Sequence, residues 1–183
     1  YWINSCMSNK LCIVAVPSLY LLSQFYNEFS TQTFLEKSSH QFILVGSDAD
    51  VDNDKFYNNG LLITTDVTNI KAEITNIINK SKLDDMELQN IVILTTYQSS
   101  DKVITALNQL KLTPDLLIAD EAHKTVGASN KQFNLLLDDK NLKIKKRLFM
   151  TATPKVYSGD RDNEKIISMD DENLNNMSNN DIL

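Results

Sequence analysis

The chain is poor in the residues that interrupt or staple a backbone: among 183 residues there are four glycines, three prolines and two cysteines. Gly46, Gly60, Gly127 and Gly159 are isolated. Without clustered glycines there is no G-x-x-x-x-G-K-[ST] loop to cradle phosphates and no G-x-G-x-x-G turn to receive a dinucleotide. Cys6 and Cys12 form neither a C-x-x-C nor a Cys/His metal spacing, and His40 and His123 are far apart. The cysteines read as reduced thiols of an intracellular protein, cytoplasmic or nuclear. No apolar run reaches the length needed to cross a bilayer. The start, Tyr1-Trp2-Ile3-Asn4-Ser5, lacks a basic segment followed by an apolar one, so it does not read as a secretion signal. It also lacks a methionine and reads as a cut point.

Net charge is -6. Three basic and seven acidic residues in 151–183 account for -4 of it, which leaves -2 for residues 1–150. The acidity therefore belongs to the tail, and the body of the chain is near neutral. Charge gives no positive sign of a polyanionic partner, although a protein that tracks a backbone through a few contacts need not be basic overall.

What the chain does have is a repeated alternation. Leu11 to Val16 is an unbroken apolar run, closed by Pro17-Ser18. Leu19, Leu22, Phe25, Tyr26 and Phe29 then recur at helical spacing, with Ser18 as a natural N-cap. Phe42 to Val45 runs into Gly46-Ser47-Asp48. Leu61 to Ile63 runs into Thr64-Thr65-Asp66, followed by a helix with Ile70, Ile74, Ile77 and Ile78 on one face. Ile91 to Leu94 runs into Thr95-Thr96, followed by a helix bearing Val103, Ile104, Leu107 and Leu110. Leu116 to Ala119 runs into Asp120-Glu121, and Arg147 to Met150 into Thr151-Ala152-Thr153-Pro154. Apolar runs without polar alternation predict strands buried on both faces. Interleaved with amphipathic helices, they predict a mostly parallel, doubly wound α/β sheet. Ligands of such sheets bind at the carboxyl ends of the strands. The hydroxyl and acidic residues of this chain collect at those ends.

Asp120-Glu121 ends an apolar strand. The Asp of such a pair can hold the Mg²⁺ of a nucleoside triphosphate, usually through water. The neighbouring Glu can polarise the water that attacks the γ-phosphate. Acidic residues also end strands simply as turn formers. The following Ala122-His123 favours the catalytic reading.

Asp120-Glu121-Ala122-His123 resembles motif II of superfamily 2 helicases, the DEAD/DEAH-box class. Thr151-Ala152-Thr153-Pro154 resembles motif III, and Val16-Pro17-Ser18-Leu19 with Leu22 and Gln24 resembles motif Ia. Thr95-Thr96-Tyr97-Gln98-Ser99 is similar to the T-Y-Q-S element of helicases related to type III restriction-enzyme motor subunits. Asp120 to Thr125 fits that branch better than the RNA-helicase branch. The four motifs fall in order within residues 11–154.

The resemblance implies a RecA-like, P-loop NTPase fold over 1–157, truncated before its second strand. The phosphate loop is expected a few residues upstream, with Tyr1 to Asn9 as the rest of its helix. Residues 158–183 would be an acidic, Asn-rich linker or the start of a second motor domain. The implied function is the first motor domain of an ATP-dependent helicase or translocase, using ATP and Mg²⁺. Its implied partners are nucleic acid, DNA in preference to RNA, and a second RecA-like domain, with no membrane. Asp120 and Glu121 would be the metal and catalytic residues. His123, Thr151, Ala152 and Thr153 would couple nucleotide state to grip. Pro17, Ser18, Gln24, Thr95, Thr96 and Tyr97 would face nucleic acid. Two simpler readings stay open: Ser18 as only an N-cap, and Thr153 as only a turn former before Pro154. Without the phosphate loop and the arginine finger of the second domain, the chain alone is expected not to hydrolyse ATP.

The alternative function is a non-catalytic RecA-like module that binds nucleic acid or a partner protein. The intact acidic pair and Thr-Ala-Thr argue against it. A Rossmann oxidoreductase is disfavoured by the absent glycine fingerprint. Asp48, Asp50, Asp52 and Asp54 alternate like the opening of a calcium loop, but Asn53 and Asn59 occupy the required Gly and Glu positions, so a solvated loop is the better reading. Lys143, Lys145, Lys146 and Arg147 read as a solvated strand entry, with a phosphate contact as the other reading.

Overall fold

The computed structural model describes residues 11–31, 40–47, 63–83, 90–122 and 134–152. Six strands lie within them: β1 (Leu11–Val16), β2 (His40–Val45), β3 (Ile63–Thr64), β4 (Asn90–Thr96), β5 (Leu116–Ala119) and β6 (Lys146–Phe149). Three helices join them: α1 (Leu19–Thr31), α2 (Val67–Leu83) and α3 (Ser100–Leu110). The strands form one sheet in the order β3-β2-β4-β1-β5-β6, and every pairing is parallel. This is the expected doubly wound α/β architecture.

β1 is buried along its whole length because it lies between β4 and β5 with helices on both faces. Its residues divide by parity. Leu11, Ile13 and Ala15 join a core with Ile70 and Ile74 of α2 and Val103, Ile104 and Leu107 of α3. Cys12, Val14 and Val16 join another with Leu22 and Tyr26 of α1. Each fully buried Ile or Leu contributes about 1.5–3 kcal/mol relative to exposure. β6, at the sheet edge, is only partly buried, and Lys146 at its start is exposed.

Local chemistry fixes the helix ends. Ser18 accepts the Leu21 N–H on its Oγ at 3.3 Å and the Leu22 N–H on its carbonyl at 3.1 Å, so it is the N-cap of α1. Asp66 accepts the Asn69 N–H at 3.0 Å ahead of α2. Lys111 ends α3 in the left-handed region, at φ 54°, where Leu112 N–H reaches back to the Leu107 carbonyl at 3.0 Å.

Several strand boundaries differ from the sequence reading; β2 and β4 start earlier, at His40 and Asn90, and β3 runs on to Thr64. Thr95 and Thr96 belong to β4, because β1 extends far enough to pair with them in register. β6 starts at Lys146 and ends at Phe149, one residue earlier than the apolar run implied, because Lys146 pairs with Leu116 at the strand entry. The expected Tyr1–Asn9 helix, Leu61-Leu62, the Asp48–Asp54 loop and residues 158–183 lie outside the described residues. No helix among the described residues is long and apolar enough to cross a membrane.

Candidate nucleotide site at the carboxyl edge of the sheet

The turn after β5 is anchored on both sides. Asp120 N–H donates to the Ala15 carbonyl of β1 at 2.9 Å. Ala122 N–H donates to the Met150 carbonyl at 2.9 Å, and Met150 N–H to the Ala119 carbonyl at 2.9 Å. The sheet ladder thus continues past the ends of β5 and β6. It brings Asp120-Glu121 and Thr151-Ala152 together on one edge, as the motifs required. Pro17-Ser18 leaves β1 at the same edge. Within the turn, Glu121 has φ 51°, the left-handed region that a side-chain-bearing residue seldom occupies. Asp120 and Glu121 are half-buried, and Glu121 Oε2 is sealed from solvent.

A third strand reaches this turn. Tyr97 opens the 3₁₀ turn Tyr97–Ser99 after β4, and β1 separates β4 from β5. The Tyr97 Oη donates to the Asp120 carbonyl at 2.7 Å, so the side chain links the turn after β4 to the turn after β5. Tyr97 is 1% exposed. Burial, then the charges of Asp120 and Glu121, raise its phenol well above the usual tyrosine range, which keeps it protonated and a donor. The hydroxyls around it also bond inward. Thr95 Oγ1 donates to the Thr96 carbonyl at 3.1 Å, Thr96 Oγ1 to Ser99 Oγ at 3.1 Å, and Ser100 Oγ to the Tyr97 carbonyl at 2.7 Å.

The sequence reading places Thr95, Thr96 and Tyr97 toward a nucleic acid; the structure turns their side chains inward. Their side chains are buried, and their hydroxyls bond within the protein. Gln98 is the exposed residue of the segment. Ser18 is exposed and Pro17 half-buried. Gln24 is exposed on α1, where it donates to Glu28 at 2.9 Å, an ordinary pair one turn apart. His123 and Thr153 lie outside the described residues.

The basic cluster before β6 sits at the opposite edge from Asp120, and two of its members are paired within the protein. Lys145 Nζ lies 2.6 Å from Asp115 Oδ1, and Arg147 lies 2.7 Å from Asp139 while also donating to the Leu136 carbonyl at 3.1 Å. Lys145 and Arg147 thus fit the strand-entry reading, while Lys143 and Lys146 are exposed. Sequence reasoning missed Asp115. This buried residue accepts the Leu11 N–H at 3.2 Å and so ties β5 to β1. The available signal was an acid placed directly before an apolar strand. Among the described residues no group of three or more His, Cys, Asp or Glu could hold a metal ion by itself. The pair Asp120-Glu121 suits an ion that arrives with a nucleotide and keeps most of its water.

Residues 3–156 match the family model described as "Type III restriction enzyme, res subunit". The chain belongs to this family. Two solved structures support the same placement of the res-subunit domain. It is 26% identical to the Type ISP restriction-modification enzyme LlaGI, in a nuclease-deletion mutant complexed with a DNA substrate mimic, with a TM-score of 0.70 over 94% of this chain. It is 26% identical to the ATP-dependent Type ISP restriction-modification enzyme LlaBIII bound to DNA, with a TM-score of 0.66 over 92% of this chain. It spans 13% and 11% of those chains. No curated protein matches it. The fold of this res-subunit domain is that of a RecA-like helicase motor domain, and the resemblance read from its motifs is borne out.

Proposed function

We propose that this domain is the first motor domain of an ATP-dependent translocase or helicase that moves on DNA, working with a second RecA-like domain of the full-length protein. The observation that carries the reading is the hydrogen-bonded edge that joins Asp120-Glu121 to Met150-Thr151. It unites an acidic pair suited to nucleotide hydrolysis with a hydroxyl segment suited to sensing it. DNA is preferred over RNA because both similar structures hold DNA or its mimic.

The reading assigns each residue a task. Asp120 would orient a Mg²⁺-bound nucleotide, most simply through water. The ion would neutralise charge developing on the transferred phosphoryl group. Glu121 would accept a proton from, and align, the attacking water. Thr151 and Thr153, with His123, would relay nucleotide state to the DNA grip at Pro17-Ser18 and Gln24. No G-x-x-x-x-G-K-[ST] occurs within these 183 residues, so this reading requires a phosphate-binding loop besides the residues named here.

The test is steady-state ATPase activity of the full-length protein with and without duplex DNA. DNA-stimulated, Mg²⁺-dependent turnover that Glu121→Gln abolishes supports the reading. Turnover unaffected by Glu121→Gln overturns it. The 183-residue chain alone is expected to show negligible activity, because the arginine finger of a partner domain is worth about 10³–10⁵ in rate in related NTPases.

A further inference from the structure

We infer that Tyr97 is a positioning residue for hydrolysis, holding Glu121 through the peptide that links it to Asp120. The inference rests on the reading of Glu121 given above. The Asp120 carbonyl and the Glu121 N–H share one rigid plane. Turning that plane changes φ of Glu121, and φ of Glu121 is 51°. Left to itself, a residue with a side chain favours leaving this region. The Tyr97 phenol holds the plane by its carbonyl oxygen at 2.7 Å. The donor is itself fixed, because its ring is fully buried in the core cluster that also holds Ala15 and Ala119. The Asp120 N–H bond to Ala15 and the Ala122 N–H bond to Met150 secure the two flanking peptides. Tyr97 bonds the peptide between them.

The same bond gives the turn a second connection. Tyr97 points inward to Asp120, while its neighbour Gln98 is exposed on the same 3₁₀ turn. Ser100 Oγ, bonded to the Tyr97 carbonyl, braces the turn against α3.

The experiment is a double-mutant cycle on the full-length protein with Tyr97→Phe and Glu121→Gln. Phenylalanine keeps the buried ring and removes only the hydroxyl. DNA-stimulated kcat of Tyr97→Phe is expected to fall roughly tenfold with KM for ATP within about twofold, since only the placement of Glu121 is lost. Added to Glu121→Gln, Tyr97→Phe is expected to change kcat no further. Parental kcat in Tyr97→Phe, or an equal fall in both backgrounds, would overturn the inference. Parental turnover in Glu121→Gln would instead overturn the reading it rests on. Amide exchange of the peptide spanning 120–122, measured below the melting temperature, serves as a readout independent of activity. It should quicken in Tyr97→Phe while β1 and β4 stay protected, and unchanged exchange at 120–122 would also overturn the inference.

Discussion

Ala122 N–H donates to the Met150 carbonyl at 2.9 Å, so the acidic turn and the segment beginning at Thr151 move as one hydrogen-bonded unit. Under the proposed function, a change at this edge would reach Thr151 through backbone, without needing a hydroxyl. Thr151→Ala combined with Thr153→Ala should leave ATP hydrolysis within a few-fold of parental. It should lower DNA translocation by a larger factor, because the hydroxyls are expected to serve grip. Parallel ATPase and strand-displacement assays check this, and equal losses in both would contradict it.

Asp120 and Glu121 are adjacent but should fail differently. Glu121→Gln keeps size and removes the carboxylate, so turnover should fall by a factor of order a hundred or more while Mg-ATP affinity holds. Asp120→Asn removes charge beside the ion and should weaken the Mg²⁺-dependent part of nucleotide binding. Fluorescent-nucleotide titration with and without Mg²⁺ separates the two.

At the far edge of the sheet, Asp115 and Lys145 form a pair of unequal burial, with side chains 12% and 63% exposed. Lys145→Ala should cost at most about 1 kcal/mol, since an exposed ammonium returns to water freely. Asp115→Ala also removes the acceptor of the buried Leu11 N–H and should cost about 1–3 kcal/mol. Urea unfolding of the two variants checks the order. Equal losses would mean that the ion pair, not the backbone bond, matters.

Cys12 is buried on β1, and burial, with the nearby Asp115 carboxylate, pushes its thiol up to about 12 from 9.0. The folded state thus favours the neutral thiol while the unfolded state ionises more easily. Its contribution to stability is full below about pH 9 and is lost as pH rises from there toward about 12. Tyr97 adds to the same alkaline loss, because its phenol is also raised. Peptide mapping after treatment with iodoacetamide at pH 8 should find Cys12 unmodified in folded protein and fully modified in urea.

Burial pattern made the sheet legible in advance. The runs at Leu11–Val16 and Leu116–Ala119 became β1 and β5 with the same bounds, because strands covered on both faces have no polar alternation to blur them. The shared edge of Asp120 and Thr151 was legible for the same reason: parallel strands put all their carboxyl ends on one side. The direction of Thr95, Thr96 and Tyr97 was not legible. Hydroxyl residues after an apolar run look alike whether they bond outward to a phosphate or inward to a carbonyl, and register with a neighbouring strand decides which. β1 is long enough to pair with Thr95 and Thr96, and that pairing carries them into the interior. Lys145 and Arg147 were ambiguous for a related reason, since their acidic partners Asp115 and Asp139 come from separate segments.

The left-handed backbone at Glu121 sets fold stability against catalysis at a single position. Glycine has no Cβ to crowd there, so Glu121→Gly removes the local strain, while its looser unfolded chain offsets part of that gain. The net effect on the melting temperature should be small or favourable, whereas turnover should disappear. Most inactivating changes in a sheet core unfold the protein. A change at this turn should leave a well-folded, inert domain, so selection for folding alone would let the carboxylate go.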